Sequence, residues 1–420
     1  MSFDFKDVLL INSYGGSILA AVVDMQLPIR GSYETSGYGI DVQRFNAPNV
    51  KFVENTKEWP SQDLSNTLVI GHPPCSAFST LNSPMRAKMR ENSTASIDSK
   101  AFECTKQLLD YAMGNGAGMI MIESVPRAME EARPIHDYYA KLFGYSLIRV
   151  IQSSVYFGLP QNRKRFWAVF AKGEGRQFEV SVPRCELTTL SSVIRHDGPA
   201  FSDHQRQFDG IMERIKEKYP DETTQAAILR GEYGLGKMKG ILTKLSGDPA
   251  WAKFANNNLW DVSCLNLLDP NGQAPVVIGS SLWMMDGQLL SLGDYARIMG
   301  FPTWYGFPER IATKAGHALG FLSRGVCPPI VRWLVRNFAC EGFYADGFFN
   351  NDKRDYLVKS GEVMDVVAIN KNAGKPPKPP KLHERAARIS KNPVNDGVNP
   401  NAPKAVVAVT DSSVTEEASV

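Results

Sequence analysis

Short apolar runs alternate with helix-like patterns along the first third of the chain. Residues 8–11 (VLLI) have the pattern of a buried strand, and residues 17–25 (SILAAVVDM) have that of a helix that follows a turn at residues 14–16. Residues 67–71 and 118–123 have the pattern of two further strands. Strands that alternate with helices are typical of a parallel sheet covered by helices. We therefore predict an α/β fold built on a doubly wound sheet.

Changes of pattern along the rest of the 420-residue chain predict its domains. The hydrophobic pattern becomes irregular over residues 176–285, which indicates a separate module of unassigned fold. Helical spacing of apolar residues resumes over residues 286–345, which we assign as a closing segment that returns to the first domain, residues 1–175. Residues 346–420 form a C-terminal extension. Beyond about residue 370 it is rich in Pro, Lys, Asn and Ser, a composition typical of a disordered tail.

The composition excludes several classes of protein. With 47 basic and 44 acidic side chains the net charge is only +3, so a nucleic-acid surface would have to come from local clustering. The six cysteines include no C-x-x-C pair, which argues against a disulfide framework and a zinc site. The first residues are acidic where a signal peptide is basic, and no apolar run approaches the roughly 20 residues that span a bilayer. We expect a cytoplasmic protein with no metal site and no membrane partner.

Cys75 is the first candidate for covalent chemistry. It follows Pro73 and Pro74 directly after a predicted strand, and prolines hold such a turn rigidly. Ligands of open α/β sheets bind at the carboxyl edge of the strands, so Cys75 is placed where a nucleophile would act. A lone cysteine is more often a small buried hydrophobic residue, and this motif alone does not decide between the two interpretations.

Two further motifs contain charged residues. Glu123 ends the third predicted strand, where a lone carboxylate is more often a helix cap or a salt-bridge partner than a catalyst. Gln161, Arg163 and Arg165 alternate, so they would share one face of an extended segment. Alternating arginines are commonly a solvated strand face, but they also suit the binding of a carboxylate, a phosphate and a base oxygen.

The order and spacing of these motifs are more specific than any one of them. The chain resembles the DNA cytosine-5-methyltransferases in a nucleophile motif, a Glu-Asn-Val motif and a Gln-x-Arg-x-Arg motif, which here read Pro73-Pro74-Cys75, Glu123-Ser124-Val125 and Gln161-Asn162-Arg163-Lys164-Arg165. Residues 267–277 and 290–302 resemble the segments that follow the family's target-recognition domain. Five motifs in the right order make coincidence improbable.

The resemblance implies a SAM-methyltransferase-like (Rossmann-like) sheet with a smaller target-recognition domain, residues 176–285, inserted after the Gln-x-Arg-x-Arg motif. It implies that Cys75 adds to carbon 6 of a cytosine and that Glu123 shares a proton with ring nitrogen 3. It also implies that Arg165 holds the base oxygen and steadies Glu123, while Arg163 orients the strand and its neighbours.

The implied partner is double-stranded DNA, and the chemistry requires that the cytosine be flipped out of the duplex. Residues 80–99 are polar with alternating basic residues, as suits a mobile loop that closes over DNA, although a solvated charge run has the same pattern. We expect a monomer. The candidate DNA contacts are Ser79, Arg86, Lys88, Arg90 and Gln161.

The cofactor motifs match the family less closely. The family's Asp-Leu-Phe-x-Gly-x-Gly-Gly stretch here reads LLINSYGG, and its Gly-Asn motif is replaced by residues 323–325 (SRG). The acid that ends the next strand would be Asp41, with Glu34 as a substitute. We expect S-adenosylmethionine (SAM) as cofactor, with a carboxylated SAM or a folate as the alternative donor, whose added carboxylate Arg324 would meet. The expected cofactor contacts are Tyr14, Gly15, Gly16, Asp41, Pro74 and Arg324.

Other functions stay open at this point. The same scaffold hosts a transfer-RNA cytosine methyltransferase branch, a degenerate relative would bind DNA without chemistry, and thiolate addition also serves the methylation of uracil or free nucleotides. Retention of the nucleophile argues against a pure binder, and a glutamate favours cytosine because its protonated form can donate to the bare ring nitrogen 3. We therefore predict a DNA cytosine-5 modifying enzyme in a restriction-modification or phage-protection setting.

Overall fold

The protein's structure, a computed structural model, describes residues 2–34, 37–54, 59–75, 78, 100–173, 185, 188–229, 265–279, 281–341 and 364–367. The strands are β1 (Ser2–Phe3), β2 (Asp7–Ile11), β3 (Ile29–Glu34), β4 (Phe52–Glu54), β5 (Thr67–Gly71), β6 (Met119–Ser124), β7 (Tyr145–Ser153), β8 (Lys164–Lys172), β9 (Leu265–Leu267), β10 (Leu282–Met285), β11 (Gln288–Leu289), β12 (Cys340–Glu341) and β13 (Met364–Val367). The helices are α1 (Ser17–Asp24), α2 (Gly37–Asn46), α3 (Lys100–Gly114), α4 (Ala128–Glu131), α5 (Arg133–Phe143), α6 (Ser202–Lys218), α7 (Glu222–Leu229), α8 (Leu292–Ile298), α9 (Glu309–Ala312), α10 (Ala315–Arg324) and α11 (Pro328–Ala339).

The main sheet has eight strands in the order β13-β7-β8-β6-β5-β2-β3-β4. Strand β8 is antiparallel to both of its neighbours, β6 and β7, and the other neighbouring pairs are parallel. Chain order runs outward in opposite directions from β2 and β5, so the sheet is doubly wound with its switch point between these two strands. Ligands bind in the crevice at the carboxyl ends of such strands.

The central strands are apolar over most of their length because the sheet is buried on both faces. Val8 and Leu10 of β2 pack in one hydrophobic cluster with α1 and α11, whereas Leu9 and Ile11 pack in a second cluster with α3 and α5. All four side chains are fully buried. A strand covered on both faces reads as a continuous hydrophobic run, which is the pattern that predicted it.

A smaller third cluster lies apart from these two. Ile211 and Ile215 of α6 pack there with Leu265, Leu282 and Met284 of β9 and β10. Strands β11, β10 and β9 form a three-stranded sheet, and the β10–β11 turn lies at the predicted domain boundary at residue 285. The described residues all belong to one compact unit, residues 1–372, and the predicted division of the chain into four regions stays a prediction.

The strands and helices that the hydrophobic pattern predicted are confirmed. Residues 7–11, 67–71 and 119–124 are strands, and the predicted helices correspond to α1, α8 and α11. Strand β13, which pairs with β7 in parallel, was not predicted. The predicted disordered tail from about residue 370 lies outside the described residues.

Candidate active site

The site lies where β5 and β6 end side by side. The two strands are parallel with Gly71 opposite Ile122, so the next residues, His72 and Glu123, are neighbours. The backbone N–H of His72 donates to the carbonyl oxygen of Ile11 on the other side (3.0 Å), which ties this end of β5 to β2. The register between strands that are about fifty residues apart in the chain therefore decides which side chains meet.

Glu123 is held by two basic groups. His72 Nε2 lies 2.9 Å from Glu123 Oε2, and Arg165 Nε lies 2.8 Å from Glu123 Oε1. The Glu123 side chain is fully buried, and those of His72 and Arg165 are nearly so. Burial opposes ionisation of Glu123, but the charge of His72, its hydrogen bond and the nearby arginines lower the pKa of Glu123. The carboxylate is therefore charged at neutral pH.

His72 is the protonated partner of this carboxylate. Burial alone would lower its pKa, but the charge of Glu123 and the hydrogen bonds with Cys75 and Glu123 raise the pKa of His72 to about 10. Sequence reasoning missed this residue. The signal was present, because a histidine that directly follows a buried strand, next to a strand that ends in glutamate, is placed by parallel pairing beside that glutamate.

Cys75 lies beside His72, to which it is hydrogen-bonded. It is a free, half-buried cysteine, and its side chain packs at the edge of the cluster that contains Leu9 and Ile11. Pro73 is buried and Pro74 is exposed. Cys75, Glu123 and Arg165 thus meet at one end of the sheet, although the chain separates them widely.

The two arginines of the third motif have different partners. Arg163 is buried; its Nε and Nη2 donate to the carbonyl oxygen of Gly325 (3.2 and 2.8 Å), and Nη2 also donates to that of Ser323. Burial, and then the nearby Arg165, lower the pKa of Arg163 to about 9. Both arginines lower the pKa of Glu123, so both lie near the carboxylate. Arg165 contacts Glu123, while Arg163 connects β8 to the turn after α10.

Gln161 also needs a correction. Its side chain is fully buried, and its Oε1 accepts the backbone N–H of Val277 (3.1 Å). Its Nε2 lies 3.1 Å from the sulfur of Met299. The predicted DNA contact by this residue is therefore wrong in this structure, since a side chain without exposed surface that already binds protein atoms is not available to a duplex.

The loop after β2 has unusual backbone geometry. Asn12, Tyr14 and Gly16 have φ values of 54°, 45° and 70°, in the left-handed region that non-glycine residues seldom adopt. The backbone N–H of Tyr14 donates to Glu34 Oε2 (2.6 Å). Within the described part of the chain, the buried Asn12 Oδ1 and Ser13 Oγ have no hydrogen-bond partner. Strained backbone and unpaired buried oxygens at a switch point are features of a ligand site.

Gly15 and Gly16, two predicted cofactor contacts, lie against other parts of the protein's own chain. A Cβ on Gly15 would lie 3.0 Å from the carbonyl oxygen of Phe321, and one on Gly16 would lie 2.1 Å from the hydroxyl of Tyr305. The Tyr305 hydroxyl donates to the carbonyl oxygen of Gly15 (2.7 Å). The close approach that these glycines permit is therefore to the protein's own chain.

The acid expected at the end of the second strand is Glu34, not Asp41. Strand β3 ends at Glu34, which is buried and accepts from Tyr14. Asp41 lies on α2 instead and forms an ion pair with Arg310. The placement of Asp41 at a strand end was wrong, because residues 39–41 form part of a helix.

Arg324 lies at the outer edge of this loop. Its Nη1 donates to the hydroxyl of Tyr14 (2.6 Å), and its guanidinium lies 5.1 Å from the centre of the Tyr14 ring. The ring of Phe321 also stacks on the Tyr14 ring, with the two ring centres 4.7 Å apart. Arg324 itself is exposed, so an arginine of residues 323–325 does stand next to the predicted cofactor loop.

The remaining predicted DNA contacts, Ser79, Arg86, Lys88 and Arg90, lie outside the described residues. Among the helices that the structure describes, none is long and apolar enough to cross a membrane.

Comparison with solved structures supports the fold. A methyltransferase of Entamoeba histolytica, EhMeth, superposes with a TM-score of 0.53 over 79% of this chain and 97% of its own, at 11% sequence identity. The Dnmt2 methyltransferase of S. pombe (TM-score 0.49, 14% identity, 78% of this chain and 96% of its own) and a putative prophage-encoded DNA modification methyltransferase from E. coli (0.48, 14%, 78% and 97%) are also similar. No protein-family model and no curated protein matches the sequence. The chain thus has a Rossmann-like, methyltransferase-like fold, as its motifs predicted.

Proposed function

We propose that the protein is a DNA (cytosine-5)-methyltransferase-like transferase that modifies carbon 5 of a flipped cytosine through a covalent adduct on Cys75. The observation that carries this proposal is the meeting of Cys75, Glu123 and Arg165 at the carboxyl end of β5 and β6. These residues belong to three separate motifs, and their closeness in the fold supports the proposal that they act on a single base.

The arrangement suits addition to a pyrimidine ring. The thiolate of Cys75 forms a bond to carbon 6, the ring electrons move toward nitrogen 3, and a proton delivered through Glu123 neutralises that nitrogen. Carbon 5 is then an enamine carbon that takes the new group, after which a base removes its proton and the cysteine is expelled. Each carboxylate oxygen of Glu123 has a second lone pair, so the carboxylate can keep His72 and Arg165 while it binds the base.

Arg165 and Arg163 would have different roles in the reaction. Arg165 fixes Glu123 and is placed to meet the base oxygen, as a guanidinium offers several donors in one plane. Arg163 would orient the segment before β8, because its Nε and Nη2 donate to backbone carbonyls of residues 323 and 325, while its charge also acts on Glu123. Since Glu123 is fully buried, a base can reach it only if the side chains that cover it move, which agrees with entry of a flipped base from double-stranded DNA.

The loop after β2 fits SAM as the cofactor. The unpaired Asn12 Oδ1 and Ser13 Oγ could accept from its ammonium group or ribose, and Glu34 ends the strand where a ribose hydroxyl is usually bound. When bound, SAM supplies an electrophilic methyl group. Pro74, exposed beside Cys75, remains a predicted cofactor contact.

One observation supports the alternative, a donor with an additional carboxylate. Arg324 presents an exposed cation at the edge of the same loop, held by Tyr14, where a donor with an additional carboxylate would meet it. Plain SAM remains the first choice because the polar loop atoms need no such carboxylate.

A duplex that contains 5-fluorocytosine tests the proposal. With SAM present, the protein should form an adduct that resists denaturation, because fluorine on carbon 5 blocks the elimination that frees the cysteine. Cys75→Ala should abolish the adduct. Cys340→Ala is the matched control, since Cys340 is also half-buried but pairs with Phe3 at the start of the chain. A protein that binds the duplex without forming an adduct would be a binder only.

Mass analysis of nucleosides from treated DNA identifies the transferred group. A methylcytosine supports SAM, and a carboxymethylcytosine supports the carboxylated donor. Modification of transfer RNA or of free nucleotides, with none on DNA, would contradict the choice of substrate.

A further inference from the structure

His72 is a buried basic residue to which the proposed reaction assigns no chemical role. It stands between the nucleophile and the carboxylate, with Nε2 2.9 Å from Glu123 Oε2 and Cys75 as a neighbour in its own loop. The His72 side chain is only 6% exposed, so water contributes little to its hydrogen bonding. The backbone hydrogen bond from His72 to Ile11 and the pairing of β5 with β6 fix the position of His72.

Glu123 by itself has no proton to give. Its pKa is lowered, with burial outweighed by the charges of His72, Arg165 and Arg163, so the carboxylate is ionised before a base arrives. Neutralising ring nitrogen 3 nevertheless requires a proton at that carboxylate. Of the groups bound to it, Arg165 holds its protons too tightly to donate one, because a guanidinium does not deprotonate in proteins. The imidazolium of His72 does have a transferable proton.

We propose that His72 is a positioning residue that stores the proton which Glu123 delivers to ring nitrogen 3 of the target base. The inference rests on the proposed function. As Cys75 adds to carbon 6, the proton on His72 Nε2 moves to Glu123 Oε2, and a proton from Glu123 bonds to nitrogen 3, leaving His72 neutral. When the cysteine is expelled, nitrogen 3 returns a proton to Glu123 and His72 becomes an imidazolium again, so no net proton is consumed.

The groups that face the pair come from every neighbouring element. They are Cys75 from the same loop, Arg165 and Arg163 from the β8 segment, and Cys327 before α11. Burial, first of all, raises the pKa of Cys327 to about 11, so this thiol is neutral near the site. Of the two basic groups that lie within hydrogen-bond distance of Glu123 in the described structure, His72 is therefore the one that can release a proton.

The test compares His72→Gln with the wild-type protein in the rate of adduct formation on the 5-fluorocytosine duplex. Without its stored proton, Glu123 must be protonated from solvent, and the protonated fraction of a carboxylate falls tenfold per pH unit above its pKa. We expect the variant to be about 10- to 100-fold slower near neutral pH. The ratio of wild-type to variant rate should increase between about pH 6 and pH 9, toward the pKa of His72.

Other outcomes overturn the inference. A ratio that does not change with pH would mean that His72 is structural, and a ratio that falls with pH would mean that it acts by ionising Cys75. If the wild-type protein forms no adduct, the proposed function itself is wrong. A failure of the His72 inference alone would leave adduct formation by the wild-type protein intact.

A second measurement does not need a His72 variant to fold. In the full-length protein, histidine imidazole signals followed by NMR should include one that stays protonated to about pH 10. That signal should titrate nearer to neutral pH in Glu123→Gln. Six signals that all titrate near or below neutral pH in the wild-type protein would refute the stored proton.

Discussion

The buried pair of His72 and Glu123 should make the protein less stable as the pH rises. The pKa of His72 is raised from 6.5 to about 10. At about 1.4 kcal/mol per pH unit, this difference corresponds to about 5 kcal/mol. Because the folded-state pKa lies above the unfolded one, the contribution is fully present below about pH 6.5 and is lost as the pH rises through about 10. The lowered pKa of Glu123 has the opposite sign, so its contribution is present above its ordinary value of 4.5 and is lost as the pH falls.

The measurement is urea unfolding of the wild-type protein and His72→Gln at several values between about pH 6 and pH 10. Their difference in free energy of unfolding cancels the other groups that titrate in this range. Glu123 keeps Arg165 in the variant, so the remaining carboxylate is still paired. We expect the difference to shrink by several kcal/mol toward alkaline pH. A difference that stays constant to within about 0.5 kcal/mol would mean that His72 is not an ion-pair partner in the folded protein.

Two further predictions concern the loop after β2. Gly16→Ala should cost more than about 2 kcal/mol of stability, because Gly16 has a φ of +70° and a Cβ there would lie 2.1 Å from the Tyr305 hydroxyl. Gly144→Ala, with a φ of +69° and nothing within 4 Å of the added Cβ, isolates the backbone strain and should cost about 1 kcal/mol; equal losses in thermal unfolding would contradict the packing argument. Glu34→Gln should weaken SAM binding in calorimetry about tenfold or more, while Asp41→Asn should leave it unchanged, because Glu34 ends β3 and Asp41 lies on α2. A larger loss for Asp41→Asn would return that residue to the cofactor site.

The central strands could be predicted closely because their information is local. A strand buried on both faces is mostly apolar, as β5 is at residues 68–70, and Pro73 and Pro74 follow its end. The acid of the cofactor loop was harder to assign, since residues 39–41 match a motif but fold as a helix. Strand β13 was missed because a four-residue edge strand depends on its partner, β7, more than on its own composition.

The sequence by itself determined the kinds of group available for chemistry: a nucleophile after a strand, a carboxylate after another, and a basic motif further along. Only the tertiary structure decided which of them meet. The register of β5 against β6 placed His72 beside Glu123, and the tertiary structure placed Arg163 against the carbonyl of Gly325 and Arg165 against Glu123. The physical reason is that strand pairing joins residues that are distant in the chain, and a shift by one position exchanges the side chains on each face.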